Sequence, residues 1–394
     1  MKLRIIYLII LFGTFFALVS CSDDDIDPKN LKQYENVAIV YWIGDNSLSS
    51  FAEDDIQELS QGKDNIPADS KIVIYADKAN QEPTIYELDA ANGLKVWKKY
   101  PEKEDCTDSL TLLTNLKTIV KNFPAKHYGL TFGSHGNGWI WQRRALGPDE
   151  SHGSKWLNVP TLRGVLEQLP HLEYIFFDVC FMQCIEVTYE LRNVTDWVIG
   201  SPAEIPNPGA PYHIITAALC KGDVRGIIEG YDSYYPITVI GSSGNEKIVQ
   251  KPILSAVKCE EQKNFAALTS TYIKKYFANR QTISSYTALN IQKYSSFFSS
   301  YTYCYDMNSA MYNILTADDY AQWAEQFEKA VPLRWAGNGT WSADWCLDPT
   351  IYDPEHFGGI SMYIPQNTYG NSTKNADLQH YQWYKAVGWD QTGW

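Results

Sequence analysis

The chain has 394 residues, 33 of them Lys or Arg and 46 Asp or Glu, for a formal net charge of −13. An apolar share of 45% is enough to bury a full core, which excludes a disordered or fibrous chain. The acidic balance excludes nucleic acid as the main partner, because phosphate binding needs clustered Lys and Arg.

At the N-terminus, Lys2 and Arg4 flank the start of an apolar run from Ile5 to Leu18, too short for a comfortable membrane span. The run ends in Leu18-Val19-Ser20-Cys21, which resembles the lipobox of bacterial lipoproteins. That resemblance implies a signal peptide over residues 1–20, acylation at Cys21 and a polar tether over 21–34. The expected location is the bacterial outer membrane, with a lipid at Cys21 as the membrane contact. The acidic run Ser22-Asp23-Asp24-Asp25 resembles the signal that takes some lipoproteins to the cell surface, and it reads equally as a solvated spacer. No other segment is apolar enough to span a membrane. Of the eight cysteines, those other than Cys21 are odd in number, so at least one thiol stays unpaired in an exported protein.

Beyond the tether, Val37–Ile43 is a continuous apolar strand stopped by Gly44-Asp45-Asn46, with a helix from about Leu48. Strands follow over Lys71–Ala76 and Thr84–Leu88, and a helix over 107–122 that opens at Cys106-Thr107-Asp108. Then come a strand Tyr128–Phe132, a helix Val159–Leu169, a strand Tyr174–Phe177, a helix Met182–Leu191 and a strand Trp197–Gly200. Fully apolar strands separated by helices predict an α/β protein whose mostly parallel sheet is covered on both faces. Strands at Ala288–Ile291 and Gly359–Ile364 and a helix over Asp318–Val331 belong to a less regular C-terminal elaboration, with no linker to divide the chain.

Two strands end in residues that carry chemistry. Tyr128–Phe132 opens into Gly133-Ser134-His135-Gly136-Asn137-Gly138-Trp139, and Tyr174–Phe177 ends in Asp178-Val179-Cys180. The helix between them is the expected crossover, which makes the strands parallel neighbours and brings His135 and Cys180 to one sheet edge. A thiolate nucleophile needs such a His, both to lower its pKa and to protonate the leaving amine. A helix starting near Met182 would add its N-terminal dipole at Cys180. The backbone N–H groups of Gly136 and Cys180 are the candidate oxyanion donors.

These two motifs, with Phe177-Asp178-Val179-Cys180-Phe181-Met182 as the second, resemble the catalytic motifs of the clostripain-type cysteine peptidases, relatives of caspases, gingipains and legumains. Tyr41–Leu48, Ser201–Glu204 with Pro208-Gly209 and Pro211-Tyr212, and Gly358–Pro365 are similar to further stretches of that family. The resemblance implies a caspase-like three-layer α/β/α sandwich, with a catalytic core over 35–225 and the rest of the same unit over 226–394. It implies a cysteine endopeptidase acting on protein or peptide substrates as a monomer, with His135 as general acid/base and Cys180 as nucleophile. Asp178 and Asp45 are then the substrate-pocket residues, Asp178 receiving Arg or Lys, and Arg143-Arg144 the site of self-processing. The chain departs from the family at Ser134, where Asp is frequent, and at Val179 and Phe181. Around Asn207–Pro211 it has no second acidic residue for a cation pocket, which leaves the Arg/Lys preference open. No metal is expected: Cys180 and Cys184 lack third and fourth ligands at zinc spacing, and no loop has the oxygen-rich spacing of a calcium site. No cofactor is required, although some relatives depend on calcium. The competing reading is an inactive surface lipoprotein that binds protein or glycan through an aromatic-rich C-terminal part.

Overall fold

The computed structural model describes residues 31–140, 145–240, 244, 246–249, 251–283, 291–294, 304–335, 354–367 and 372–394. The segment with Cys21, the Arg143-Arg144 pair and most of the strand expected over 288–291 lie outside them.

Chain order begins with β1 (Tyr34–Gly44), α1 (Ser49–Gln61), β2 (Ser70–Lys78), β3 (Thr84–Asp89), β4 (Gly93–Lys99), α2 (Ser109–Asn122) and β5 (Ala125–Gly133). Three short strands follow, β6 (His135–Gly136), β7 (Leu146–Asp149) and β8 (Lys155–Leu157), then α3 (Val159–Leu166), β9 (Leu172–Asp178), α4 (Ile185–Leu191) and β10 (Thr195–Gly200). Next are α5 (Tyr212–Lys221), α6 (Val224–Tyr234), a hairpin of β11 (Ile237–Ile240) and β12 (Glu246–Val249), β13 (Leu254–Lys258) and α7 (Gln262–Tyr276). The chain closes with β14 (Lys293–Tyr294), β15 (Cys304–Asp306), α8 (Met307–Ile314), α9 (Ala317–Ala330), β16 (Leu333–Trp335), β17 (Ser361–Met362), α10 (Ser372–Leu378) and α11 (Gln382–Ala386).

Nine strands form one sheet in the order β16-β13-β10-β9-β5-β1-β2-β3-β4. The five central strands run parallel, and antiparallel strands finish both edges. The expectation that the strands before His135 and Cys180 are parallel neighbours holds, with Gly133 opposite Asp178. From β1 the chain first builds outward through β2, then returns to place β5 on the other side. The β1/β5 boundary is therefore the topological switch point, where a crevice opens beyond the carboxyl ends of the strands.

The uninterrupted apolar run of β1 is explained by its two buried faces. Val37, Ile39, Tyr41 and Ile43 join the core beneath α2, α3 and α4, whereas Ala38, Val40 and Trp42 join the core beneath α1, α5 and α6. Alternate side chains thus enter opposite layers, and both must be apolar. Full burial of each large side chain contributes about 1.5–3 kcal/mol. The three-layer α/β/α sandwich is as expected.

Two details differ from expectation. The helix after Cys180 begins at Ile185, not near Met182. Phe181 takes a left-handed φ of 63°, and Phe181 N–H and Gln183 N–H donate instead to Ala203 O (2.9 Å) and Ser201 O (3.0 Å). Among the described C-terminal aromatics, Trp323, Trp383, Trp389 and Tyr363 are fully buried and belong to the core, whereas Tyr312 and Trp335 are exposed.

Candidate active site

The loops following β1, β5 and β9 meet at the switch point around a cavity of about 610 Å³. Ser47 and Leu48, His135 and Gly136, and Asp178 and Cys180 line it, with Glu204–Gly209 closing the far wall.

The loop after β1 is set by Asn46. Its amide nitrogen donates to Ile43 O and Pro148 O (both 2.9 Å), and its amide oxygen accepts from Leu48 N–H (2.9 Å). This fixes Ser47, whose Oγ lies 2.8 Å from His135 Nε2. Ser134, where an acid is frequent in the family, donates its hydroxyl to Ile43 O (3.0 Å) and so ties the His loop to the end of β1.

The His and Cys loops are in direct contact. A Cβ on Gly136 would stand 2.2 Å from Val179 Cγ1 and 2.6 Å from Cys180 O, so only glycine lets the two backbones approach this closely. Cys180 is a half-buried free thiol. Its sulfur accepts a hydrogen bond from Ile205 N–H at 3.2 Å and makes none with His135. Burial pushes the thiol pKa up to about 12, with the charges of Glu204 and Asp178 adding to the rise and the Ile205 N–H opposing it. Burial also lowers the His135 pKa. The expected thiolate–imidazolium pair is therefore not preformed here: the sulfur is turned to the 204–205 segment, and the α4 dipole starts too far along the chain to help.

Asp178 ends β9 inside the cavity wall. One carboxylate oxygen accepts from Ala210 N–H (3.1 Å) and Tyr212 OH (3.2 Å), the other from Tyr231 OH (3.2 Å). Burial still raises its pKa to about 6, against the pull of these donors. Asp45, expected beside it, does not line the cavity. Its carboxylate is held by Lys103 (3.0 Å) and by the Ser151 hydroxyl, which makes it part of the scaffold under the β7–β8 turn. Its own low pKa reflects Ser151 and Lys103, which outweigh its partial burial.

Sequence reasoning missed Ser47, Asp55 and Glu204. Ser47 and Glu204 stood within quoted motifs, and nothing in a single sequence marks a hydroxyl or a carboxyl as facing a cavity. Asp55 sits in an ordinary amphipathic helix pattern.

Among the described residues, one group away from the cavity could hold a metal: Asp77, Cys106 and Asp149 place ligand atoms within 4.8 Å of one another. The Lys103 ammonium already neutralises Asp77 (2.8 Å), and burial and the two carboxylates drive the Cys106 thiol pKa well up. A thiol beside a lysine does not suit a hard cation such as calcium, which takes six to eight oxygen ligands.

The sequence profile described as the clostripain family matches residues 40–394. The chain belongs to the clostripain family. Its fold matches an inactive zymogen C11 protease from Parabacteroides distasonis, with a TM-score of 0.73 and 26% identity over 90% of this chain and 98% of that one. It also matches a secreted C11 cysteine protease from Bacteroides thetaiotaomicron in complex with an irreversible peptide inhibitor, with a TM-score of 0.74 and 27% identity over 91% and 99% of the two chains. No curated protein matches the chain. Membership in the clostripain family makes this α/β/α sandwich a cysteine peptidase scaffold of the caspase-like type, with peptides as its substrate class. No described helix is long and apolar enough to cross a membrane.

Proposed function

We propose that this clostripain-family chain is a cysteine endopeptidase that cuts protein or peptide substrates after a basic residue. The observation that carries the reading is the closure of the His135 and Cys180 loops on each other, through Gly136, at the mouth of an acid-lined cavity. In the reaction, Cys180 sulfur adds to the scissile carbonyl as its proton passes to His135. The N–H groups of Gly136 and Cys180 take the oxyanion charge. His135 then protonates the departing amine, and water hydrolyses the thioester to free acid and thiol. These steps need no cofactor.

The Ile205 contact on Cys180 supports a precursor state in which the sulfur must turn toward His135 before catalysis. Cleavage at Arg143-Arg144, which lies in sequence between His135 and Cys180, is the event that would release it. The peptide inhibitor bound by the Bacteroides thetaiotaomicron relative is consistent with a peptide-binding cleft here. The lipobox-like Leu18–Cys21 supports a lipid anchor at Cys21 and an outer-membrane location. The test compares protein from residue 22 onward with its Cys180→Ala variant on a peptide library holding every residue type before the scissile bond. Cysteine-dependent cuts after Arg or Lys are expected. Equal silence of both proteins, with and without reductant, would sink the catalytic reading. Cysteine-dependent cuts elsewhere would keep the enzyme and discard the basic preference.

A further inference from the structure

The stretch Asn207–Pro211 contributes no carboxylate, yet the cavity is more acidic than that stretch suggests. Asp55, Asp178 and Glu204 all line it, and among the described lining residues there is no Lys or Arg. Asp55 comes from an unexpected direction, the buried face of α1 beside Ala52, Ile56 and Leu59, and is 4% exposed.

Asp178 and Asp55 are not equivalent. Asp178 is held by a backbone N–H and two tyrosine hydroxyls, so most of its accepting capacity is spent on the protein. Asp55 has no hydrogen bond or ion pair among the described residues, and its pKa is carried well above normal by burial and by the charge of Asp178. Its carboxylate is not among the sealed, unpartnered atoms of the interior but belongs to the cavity lining, where an arriving donor reaches it. Such a group is retained where a ligand completes it. Ala52, Ile56 and Leu59 on the same helix face offer no donor, so the donor must enter through the cavity.

We propose that Asp55 is the second carboxylate of the pocket for the side chain before the cut, and that with Asp178 it pairs with the guanidinium or ammonium of that side chain. This rests on the peptidase reading above. Asp178 forms the rigid wall, oriented by Tyr212 and Tyr231. Asp55 supplies the unsatisfied lone pairs that accept the incoming N–H donors. Their placement on β9 and α1 brackets the cation from two elements, as the missing acid at 207–211 would have done from one.

The groups facing Asp55 set a pH signature. Asp178 faces it from β9, Asp54 and Glu58 stand on its own helix, and all three raise its pKa. Tyr212 from α5 and Tyr231 from α6 reach Asp178, and His135, Cys180 and Glu204 complete the ionisable lining. With the charge of Asp178 already raising Asp55, the two carboxyls do not both ionise cheaply while no cation stands between them. An arriving cation favours ionisation of both, so cation selectivity rises with pH until the pair is fully ionised.

The experiment measures kcat/KM on two peptides that differ only in Arg or citrulline, its neutral isostere, before the cut. Wild type and Asp55→Asn are compared, with thermal unfolding and iodoacetamide labelling of Cys180 as checks of the fold and the thiol. The Arg-to-citrulline ratio should fall about thirtyfold or more in Asp55→Asn, the effect of removing one partner of a buried charge pair. A ratio kept at the wild-type value overturns the assignment while leaving the peptidase reading intact. If Asp55→Asn does not fold, Asp55→Ser takes its place: a fallen Arg-to-citrulline ratio supports the assignment, and an unchanged ratio overturns it. A wild type that cleaves neither these peptides nor any in the library removes the peptidase reading and this one with it.

Discussion

Gly136→Ala probes the contact on which the candidate dyad depends. The added methyl would stand 2.2 Å from Val179 Cγ1 and 2.6 Å from the Cys180 carbonyl oxygen. Val179 is buried in the core, and pushing its side chain off its rotamer costs about 1 kcal/mol. The carbonyl belongs to a backbone pinned by Phe181 N–H on Ala203 O and by Gln183 N–H on Ser201 O, so it yields only if the whole loop moves. Relief to an ordinary contact needs a retreat of roughly 0.5–1 Å between the His135 and Cys180 loops, and overpacking of this kind costs about 1–3 kcal/mol. A misplacement of that size between reacting groups lowers catalysis by roughly 100-fold. The assay is kcat/KM on the best peptide from the library screen, with a thermal melt of the same preparation. Wild-type kcat/KM together with a wild-type melting temperature would refute the close approach and the argument built on it.

Three further outcomes are expected. Ser47→Ala removes the 2.8 Å partner of His135 Nε2 and should lower kcat by roughly tenfold with little change in melting temperature; a stopped assay and a melt suffice, and an unchanged kcat rejects an orienting role. Tyr231→Phe strips a donor from buried Asp178, whose pKa of about 6 should rise further, moving the acid limb of kcat/KM for Arg substrates to higher pH; an unmoved limb counts against Asp178 as the titrating group. Glu186 is fully buried with Oε2 unpartnered, and burial raises its pKa to about 8. Because the folded state holds this proton more tightly than the unfolded one, stability is greatest below the ordinary Glu pKa and falls as pH rises toward 8, by about 3 kcal/mol at pH 7. Glu186→Gln should flatten that slope in melts from pH 5 to 8, and parallel slopes would reject the assignment.

The sheet core was legible because each central strand is apolar on both faces, which only a covered parallel sheet requires. The adjacency of β5 and β9 followed from a helix of crossover length between them. What stayed hidden was set by tertiary contact. The start of α4 moved to Ile185 because the segment after Cys180 bonds to residues 201–203, a pairing that no local pattern encodes. Asp45 was expected in the pocket on the family resemblance, but Lys103 and Ser151 claim it from loops more than fifty residues away. Asp55 was passed over because a helix carboxyl in a polar pattern reads as solvated until another layer covers it.

The nucleophile loop is fastened to late parts of the chain. Gln183 Nε2 donates to Ser255 O (3.0 Å), Ser361 N–H donates to Gln183 O (3.0 Å), and Cys184 bridges to Ser361. Residues 178–184 therefore complete their contacts only once residues 255 and 361 have packed against them. For a chain of a cysteine-peptidase family, that order has a use: the loop that carries Cys180 is completed only after nearly all of the chain has been made and packed.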